Sequence, residues 1–302
     1  MDDSTLSRRE MLRRATAAGL VLPLSGGLLA ACGDDGGGAT AGSGSGSGGP
    51  GLLEQLKRTG VARIAIANEP PYTRVEPDGN VTGAEPEIAR AVLKGLGIGE
   101  VQGVVTPYEA MIPGLKARRW DMITAGLFMK QSRCAEILYS EPTVVSTESF
   151  AVKPGNPLGL KTIADAQANP DVKVGVLPGG FEDGILKEEQ FPGGQIVKVQ
   201  DGRSGIEALG AGRIDAFFLP TLSLDALRDG GDFEVTPPVE DAPVTGAGHG
   251  FRKQDKAFRD AYNAEFKKIK DSGEFARILK PWGFPADAAI ETTAAELCKT
   301  EG

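Results

Sequence analysis

Apolar runs alternate with amphipathic stretches along most of the chain, starting near residue 52. The apolar runs are rich in β-branched residues and predict strands at 63–67, 101–105, 121–125, 172–176, 196–199 and 214–219. Apolar residues at helical spacing predict helices at 85–96, 108–116, 131–138, 182–190, 202–210 and 256–272. This alternation is typical of α/β proteins with mainly parallel sheets.

Two long extended stretches, 143–153 and 245–252, stand apart from this alternation because they show little polar periodicity. They bracket a self-contained α/β block of about ninety residues. This arrangement predicts two α/β domains joined by a two-stranded hinge, the second domain being inserted into the first. We expect one lobe to contain residues 52–150 and 249–302, and the other to contain residues 151–248.

The N-terminal segment has the features of an export signal. Paired arginines in Ser7-Arg8-Arg9 precede an apolar stretch at 15–31, which is shorter than the roughly 20 residues of a membrane span and contains glycine and proline. Leu29-Ala30-Ala31-Cys32 then matches a lipoprotein processing site. We predict a twin-arginine lipoprotein signal over 1–32, with Cys32 lipidated and the protein anchored outside the cytoplasmic membrane. A transmembrane anchor is the alternative. The Gly/Ser-rich residues 33–51 predict a flexible tether.

Composition narrows the possible partners. The 302 residues include 33 basic and 41 acidic side chains, and a net charge of -8 disfavours nucleic acid as a partner. One histidine and three cysteines provide no set of ligands at metal-binding spacing, so we expect neither a metal nor another cofactor. If Cys32 is lipidated, Cys134 and Cys298 can pair in an oxidising compartment, but the sequence leaves their pairing open.

The sequence ANEPPYT at 67–73 follows the first predicted strand and contains an acid and an aromatic ring. The two prolines restrict the backbone, so we expect an extended segment that presents Glu69 and Tyr72 at the carboxyl end of the strand. Open α/β sheets bind ligands at that end. The alternative is a surface loop with a solvated Glu69.

Other strand-to-helix turns contain similar side chains. Phe128 and Arg133 follow one predicted strand and Tyr108 follows another. The arginine fork suits a carboxylate ligand, although a surface ion pair is the alternative. Gly179 and Gly180 precede a helix, where backbone N–H groups can point at an anion or can form a tight turn. All these side chains can converge on a cleft between the two domains.

Six motifs together resemble those of a known family. They are DGNVTG at 78–83, PYEAMIPGL at 107–115, WD at 120–121, YSEP at 139–142, VGV at 174–176 and GRIDA at 212–216. The chain from about 61 to 284 resembles the solute-binding proteins of ABC importers that take polar amino acids. The resemblance implies the two-lobed type II periplasmic-binding-protein, or Venus flytrap, fold. It also implies a monomer that performs no chemistry on its ligand and delivers it to a membrane permease.

The sequence differs from the family pattern at two positions that affect which ligand is expected. Amino-acid binders typically have a threonine where Lys130 stands and an aspartate where Pro220 stands, and proline cannot hold an ammonium group. The remaining pattern looks like that of the ectoine and hydroxyectoine binding proteins, in which an acid meets the cyclic amidinium and an arginine meets the carboxylate. The resemblance implies a ligand site formed by Glu69, Tyr72, Tyr108, Gly126, Phe128, Arg133, Gly180, Phe181, Glu182 and Thr221.

Two other functions remain open. The first is binding of a polar or cationic amino acid. The second is an enzyme similar to cyclohexadienyl dehydratase, a reaction that the same scaffold is known to support. Such an enzyme needs a positioned general acid, and the sequence does not choose between Glu69 and Glu182 for that role.

Overall fold

A computed structural model describes residues 51–300 of the chain. The predicted export signal, the lipidation at Cys32 and residues 33–50 of the predicted tether lie outside the described residues. Within residues 51–300, no helix has the length and apolar character needed to cross a membrane.

The elements alternate as the hydrophobic pattern predicts. The strands are β1 Val61–Ile66, β2 Arg74–Val75, β3 Val81–Thr82, β4 Glu100–Val105, β5 Met122–Ile123, β6 Leu138–Tyr139, β7 Val144–Ser146, β8 Glu148–Val152, β9 Val174–Val176, β10 Ile196–Lys198, β11 Ala216–Pro220, β12 Glu234–Val235, β13 Thr245–Ala247 and β14 Gly250–Phe251. The α-helices are α1 Leu52–Thr59, α2 Ala84–Gly95, α3 Tyr108–Lys116, α4 Gln131–Cys134, α5 Ile163–Ala168, α6 Phe181–Glu188, α7 Gly202–Gly210, α8 Thr221–Ala226, α9 Lys256–Asp271, α10 Glu274–Leu279, α11 Ala286–Glu291 and α12 Ala294–Leu297. Four short 3-10 helices lie at Gly193–Gln195, Arg228–Gly230, Lys253–Asp255 and Lys280–Trp282.

Two five-stranded sheets define the two lobes. The first has the order β4-β1-β5-β14-β6 and the second has the order β10-β9-β11-β8-β12. In the first sheet β1 is parallel to β4 and β5, whereas β14 is antiparallel to β5 and β6. In the second, β9 is parallel to β10 and β11, whereas β8 is antiparallel to β11 and β12. In each sheet, therefore, the strands toward one edge are parallel and the strands toward the other edge are antiparallel.

The crossing strands form a small hinge sheet. β7 pairs with β13 in antiparallel register, so two stretches of chain run between the lobes. The sequence predicts one continuous extended segment at 143–153, but the structure divides it at Thr147 into β7 and β8. The carbonyl oxygen of Thr147 accepts a bond from the N–H of Thr221, 2.9 Å away, instead of joining a strand ladder. The hinge is therefore hydrogen-bonded to the start of α8 in the second lobe.

Most predicted helices coincide with observed ones, and α3 and α7 have the predicted bounds. The helix predicted at 131–138 is shorter, because α4 ends at Cys134 and Leu138 already pairs with Phe251 in the first sheet. α9 packs against α2 over that sheet, with a fully buried aromatic group between them and the strands. The members of this group are Phe251, Phe258, Tyr262, Phe266 and Phe275.

A disulfide joins Cys134 at the end of α4 to Cys298 just after α12. The two cysteines lie 164 residues apart in the sequence, and the sequence leaves their pairing open. A backbone bond from the N–H of Gln131 to the carbonyl of Thr300, 2.9 Å long, adds a second attachment. The C-terminal segment is therefore fixed to the short helix that contains Arg133.

Replacing both cysteines by serine, Cys134→Ser with Cys298→Ser, is expected to lower the free energy of unfolding by about 2–5 kcal/mol, because the unfolded chain gains freedom when a long loop is opened. Denaturant unfolding of the wild-type and double-variant proteins measures the loss. Reductant should cause the same loss in the wild-type protein and no further loss in the variant. Equal stability of the reduced and oxidised wild-type proteins would contradict the expectation.

Candidate functional site

The loop after β1 is a turn and not the extended segment predicted for ANEPPYT. The N–H of Thr73 donates to the carbonyl of Glu69 at 2.9 Å, and the N–H of Glu69 donates to the Thr73 hydroxyl at 3.1 Å. These two bonds close the chain on itself, which a straight segment does not allow. The Pro70–Pro71 peptide bond within the turn is cis.

The same loop caps helix α2. The N–H groups of Ala84 and Glu85 donate to the carbonyls of Pro71 and Tyr72, each at 3.1 Å, which satisfies amides that a helix start otherwise leaves unpaired. Gly83 is required here, because its φ is +119° and a Cβ would lie 2.4 Å from the carbonyl oxygen of Tyr72. These contacts fix the backbone of the loop, and with it the positions of the Glu69 and Tyr72 side chains.

Glu69 is buried and has hydrogen-bond partners from both lobes. The hydroxyl of Tyr108, at the start of α3, donates to Oε2 at 3.0 Å, and the hydroxyl of Ser223 on α8 donates to Oε1. Burial raises the pKa of the Glu69 carboxyl above its usual value, and the bonds from Ser223 and Tyr108 oppose that shift. The structure therefore contradicts the solvated surface loop. Ser223 is absent from the sequence-predicted site.

Three aromatic rings form a row that runs from the first lobe into the second. The centroids of Tyr72 and Phe128 are 5.7 Å apart, and those of Phe128 and Phe181 are 5.6 Å apart, both in edge-to-face contact. Phe284 also packs edge-on against Tyr72, with centroids 4.8 Å apart. Phe284 is not among the residues predicted from the sequence, because it lies more than two hundred residues from Tyr72.

Arg133 is also buried and connects the lobes. One guanidinium nitrogen donates to the carbonyl of Phe128 at 2.8 Å, and another donates to the carbonyl of Gly179 in the second lobe at 2.9 Å. These acceptors carry no full charge, so the surface ion pair considered as an alternative does not describe this residue. The guanidinium is held in place by the backbone of both lobes.

The N–H groups of the glycines before α6 are bonded within the second lobe, so they form the tight turn of the two sequence-based alternatives and not a site for a ligand anion. The N–H of Gly179 donates to the Asp183 carboxylate at 3.0 Å and the N–H of Gly180 donates to the carbonyl of Leu177 at 3.0 Å. Gly179 has a φ of +68°, and a Cβ there would lie 2.8 Å from the backbone nitrogen of Glu109 on α3. Glycine at this position allows the turn to approach the first lobe closely.

Two acids of the second lobe lie together in this region. Glu182 in the first turn of α6 and Glu148 at the start of β8 are both buried, and neither carboxyl oxygen of Glu148 has a hydrogen-bond partner among residues 51–300. Burial, with the nearby charge of Glu69, raises the pKa of Glu182 to about 7, and burial also raises that of Glu148. Glu148 is not among the residues predicted from the sequence, although an acid inside an otherwise apolar strand pattern is the signal that marks it.

Thr221 is turned toward the hinge. Its hydroxyl lies 2.9 Å from the Thr147 hydroxyl and 2.8 Å from the Ser149 hydroxyl, so the side chain fastens α8 to the crossing strand. The structure brings the other predicted residues together and places Gly126 directly beneath the Tyr72 ring. The hydroxyl that contacts Glu69 comes from Ser223, two residues further along α8.

Lys130 is half-buried, beside the aromatic row. Its ammonium nitrogen lies 6.0 Å from the centroid of the Phe181 ring, which allows a weak cation–π contact. Burial, together with the nearby charge of Arg133, lowers the pKa of Lys130 to about 8. Among residues 51–300, no group of acidic, histidine or cysteine side chains has a geometry suited to a metal ion.

Two lobes with buried charges and rings between them define the class of small-molecule binding proteins that close around a ligand. Residues 62–285 match the bacterial extracellular solute-binding proteins, family 3, and the chain belongs to that family. It has the two-lobed type II periplasmic-binding-protein fold.

Known relatives are solute-binding proteins. A Sinorhizobium fredii protein, named as a probable amino-acid ABC transporter periplasmic-binding protein, is 31% identical over 82% of this chain and 85% of its own. The histidine-binding periplasmic protein of Salmonella typhimurium is 27% identical over 73% of this chain and 87% of its own. The crystal structure of EhuB in complex with hydroxyectoine is 50% identical, with a TM-score of 0.81 over 83% of this chain and 98% of that one.

Gly126→Ala is expected to destabilise the fold more than Gly159→Ala. Both glycines have left-handed backbones, with φ of +66° and +63°, so both variants have similar backbone strain. A Cβ at 126 would lie 2.7 Å from the Tyr72 ring, whereas no atom lies within 4 Å of one at 159. Thermal or denaturant unfolding should show an excess loss of about 1–3 kcal/mol for Gly126→Ala. Equal losses would mean that Tyr72 moves freely away from the loop.

Proposed function

We propose that this solute-binding protein captures ectoine or hydroxyectoine between its lobes and delivers the ligand to an ABC permease. The observation that carries the proposal is the 50% identity to the EhuB–hydroxyectoine structure over 98% of that chain. Identity at this level supports a ligand of the same chemical class as hydroxyectoine. The acid, the arginine and the row of rings between the lobes of this protein support it as well.

The chemistry of the cleft fits a compact zwitterion. Taking a charge out of water costs several kcal/mol unless it meets a partner, so a zwitterion needs an acid and a base in the site. Glu69 supplies the negative charge and Arg133 supplies a planar pair of donors for a carboxylate. A delocalised ring cation gains roughly 0.5–2 kcal/mol over an aromatic face, which Tyr72, Phe128 or Phe181 can provide.

Closure of the two lobes is the proposed binding step. Three contacts already join the lobes: Ser223 with Glu69, Arg133 with the carbonyl of Gly179, and Phe128 with Phe181. A ligand that contacts both lobes favours the closed arrangement, because only that arrangement satisfies all its groups. The hinge strands β7 and β13 are where the backbone would bend.

The remaining parts of the proposal concern the setting of the protein in the cell. We propose that the chain is exported, that Cys32 is lipidated and that the folded part stands outside the cytoplasmic membrane on the tether. The family context supports a permease partner. We further propose a monomer that releases its ligand unchanged and requires no cofactor.

Glu69→Gln is expected to weaken ectoine binding by at least about tenfold, because a charge-assisted hydrogen bond contributes roughly 1.5–3 kcal/mol. Glutamine keeps the shape of the side chain, removes its charge and replaces one accepting oxygen by a donating NH2 group. Isothermal titration calorimetry measures the change. Glu54→Gln, on the exposed side of α1, makes the same charge change away from the cleft and should bind like the wild type. Unchanged affinity in Glu69→Gln would exclude this acid as the partner of the ligand's cation.

A polar or cationic amino acid is the second candidate ligand. The histidine-binding relative and the three buried acids of the cleft favour it, because acids also suit an ammonium group. A thermal-shift panel of ectoine, hydroxyectoine, arginine, histidine and glutamine separates the candidates, since a ligand that binds the folded state raises its melting temperature. We expect stabilisation by the two ectoines. Stabilisation by an amino acid alone would replace ectoine by that amino acid.

A further inference from the structure

Ser223 is a buried serine of α8 whose hydroxyl reaches from the second lobe to the first. The residue is 0% exposed, and within residues 51–300 its hydroxyl has one hydrogen-bond acceptor, Oε1 of Glu69. Tyr108, which donates to the same carboxylate, has one O–H for two acceptors, because its oxygen lies 3.0 Å from Oε2 of Glu69 and 3.0 Å from the carbonyl oxygen of Ala125. Ser223 is therefore the donor to Glu69 whose hydrogen is not shared with a second acceptor.

The helix that contains Ser223 starts at the hinge. The N–H of Thr221, the first residue of α8, donates to the carbonyl of Thr147 at 2.9 Å. The Thr221 hydroxyl lies 2.9 Å from the hydroxyl of Thr147 and 2.8 Å from that of Ser149. Thr147 stands between β7 of the hinge sheet and β8 of the second lobe. Thr221 and Ser223 share one turn of helix, so a change of the backbone at Thr147 displaces Ser223 relative to Glu69.

We propose that the hydrogen bond from Ser223 to Glu69 is an interlobe latch, and that α8 couples this latch to the hinge. The inference rests on the proposed function, because Glu69 is also the proposed partner of the ligand's cation. Ser223 is a positioning residue, since it acts on the ligand through Glu69. It sets how long the lobes stay closed, and thus how fast the ligand leaves.

The cost of burying a carboxylate explains why this one hydroxyl affects closure. Glu69 is 6% exposed in the closed arrangement, and a buried carboxylate oxygen without a donor is strongly unfavourable. Ser223 removes that cost for Oε1 only when the lobes are together, because the two residues belong to different lobes. Without this hydroxyl, closure would leave Oε1 buried and unpaired, and the lobes would separate more readily.

The test is a double-mutant cycle measured on ligand dissociation. Ser223→Ala, Glu69→Gln and the combined variant are compared with the wild type as full-length proteins, with ectoine and with hydroxyectoine. Calorimetry gives Kd, and release of radiolabelled ligand into an excess of unlabelled ligand gives the dissociation rate. Ser272→Ala is the matched control, because its exposed hydroxyl bonds to the carbonyl of Ile269 at the end of α9, 3.0 Å away.

We expect Ser223→Ala to raise the dissociation rate by about tenfold or more, since the variant loses a hydrogen bond to a charged group and leaves Oε1 of Glu69 unpaired. The association rate should change by less than about threefold, because the latch forms after the ligand has entered. In the Glu69→Gln background the same substitution should raise the dissociation rate by less than about threefold, because the charged acceptor is already absent. The control should release the ligand at the wild-type rate.

Thr221→Val tests the coupling of the latch to the hinge. Valine keeps the branched shape of threonine and removes the hydroxyl contacts with Thr147 and Ser149. This variant should also raise the dissociation rate, and it should have little further effect in the Ser223→Ala background, because the displaced hydroxyl is already missing. Independent effects of the two substitutions would overturn the role of α8.

Equal effects of Ser223→Ala in the wild-type and Glu69→Gln backgrounds would mean that Ser223 acts through packing, and would overturn the latch while leaving ectoine binding intact. Absence of wild-type binding to either ectoine would instead overturn the proposed function. The same cycle is then measured on the free energy of unfolding of the ligand-free protein. There, coupling between Ser223 and Glu69 supports the latch and additive losses overturn it.

Discussion

The burial of one carboxylate between two lobes is the constraint on which the rest of the site depends. Glu69 can leave water only if its oxygens find donors, and those donors come from Tyr108 in its own lobe and Ser223 in the other. Neither lobe alone satisfies the acid. The closed arrangement and the electrostatics of the site therefore depend on each other. Closure completes the hydrogen bonding of the Glu69 carboxylate, which the first lobe leaves partly unpaired.

A continuous set of contacts connects this acid to the hinge. The loop that contains Glu69 caps α2, and the second residue of α2 is Glu85. The Glu85 carboxylate accepts a bond from the Thr143 hydroxyl at 2.8 Å and lies 2.8 Å from Nε2 of His249, just outside the two hinge strands. His249 bonds to the hydroxyl of Tyr262 through Nδ1. The site and the hinge therefore share one buried polar network in the first lobe.

The pattern of hydrophobic and polar residues alone predicts most of the helices and strands. β-Branched runs and helical spacing identify the strands and helices because each element buries one face on its own sheet, and α3 and α7 show this most directly. The extended segment predicted for ANEPPYT was wrong, because Thr73 bonds back to Glu69 within the segment and closes a local turn. The contact of this turn with the start of α2 is a tertiary contact that the segment alone does not reveal. Of the two alternatives for the glycines before α6, the tight turn describes the structure, since Asp183 and Leu177 accept the bonds of their N–H groups.

The candidate site was predictable where a residue type has a strong chemical preference. An acid, an arginine and three rings at strand ends converge because the carboxyl ends of parallel strands share one edge of a sheet. Ser223 and Phe284 have no such preference, so only the fold reveals that they contact Glu69 and Tyr72. An acid within an apolar strand marks Glu148, but the sequence pattern places its strand in the hinge, where an acid implies no partner.

The position of Glu148 also changes the meaning of Pro220. In the amino-acid binders that the sequence resembles, an aspartate at that position holds the ligand's ammonium group, and the proline cannot. Pro220 on β11 is directly opposite Glu148 on β8 in antiparallel register, and side chains at paired positions lie on the same face of a sheet. An acid therefore stands one strand away from the place where the family pattern puts one.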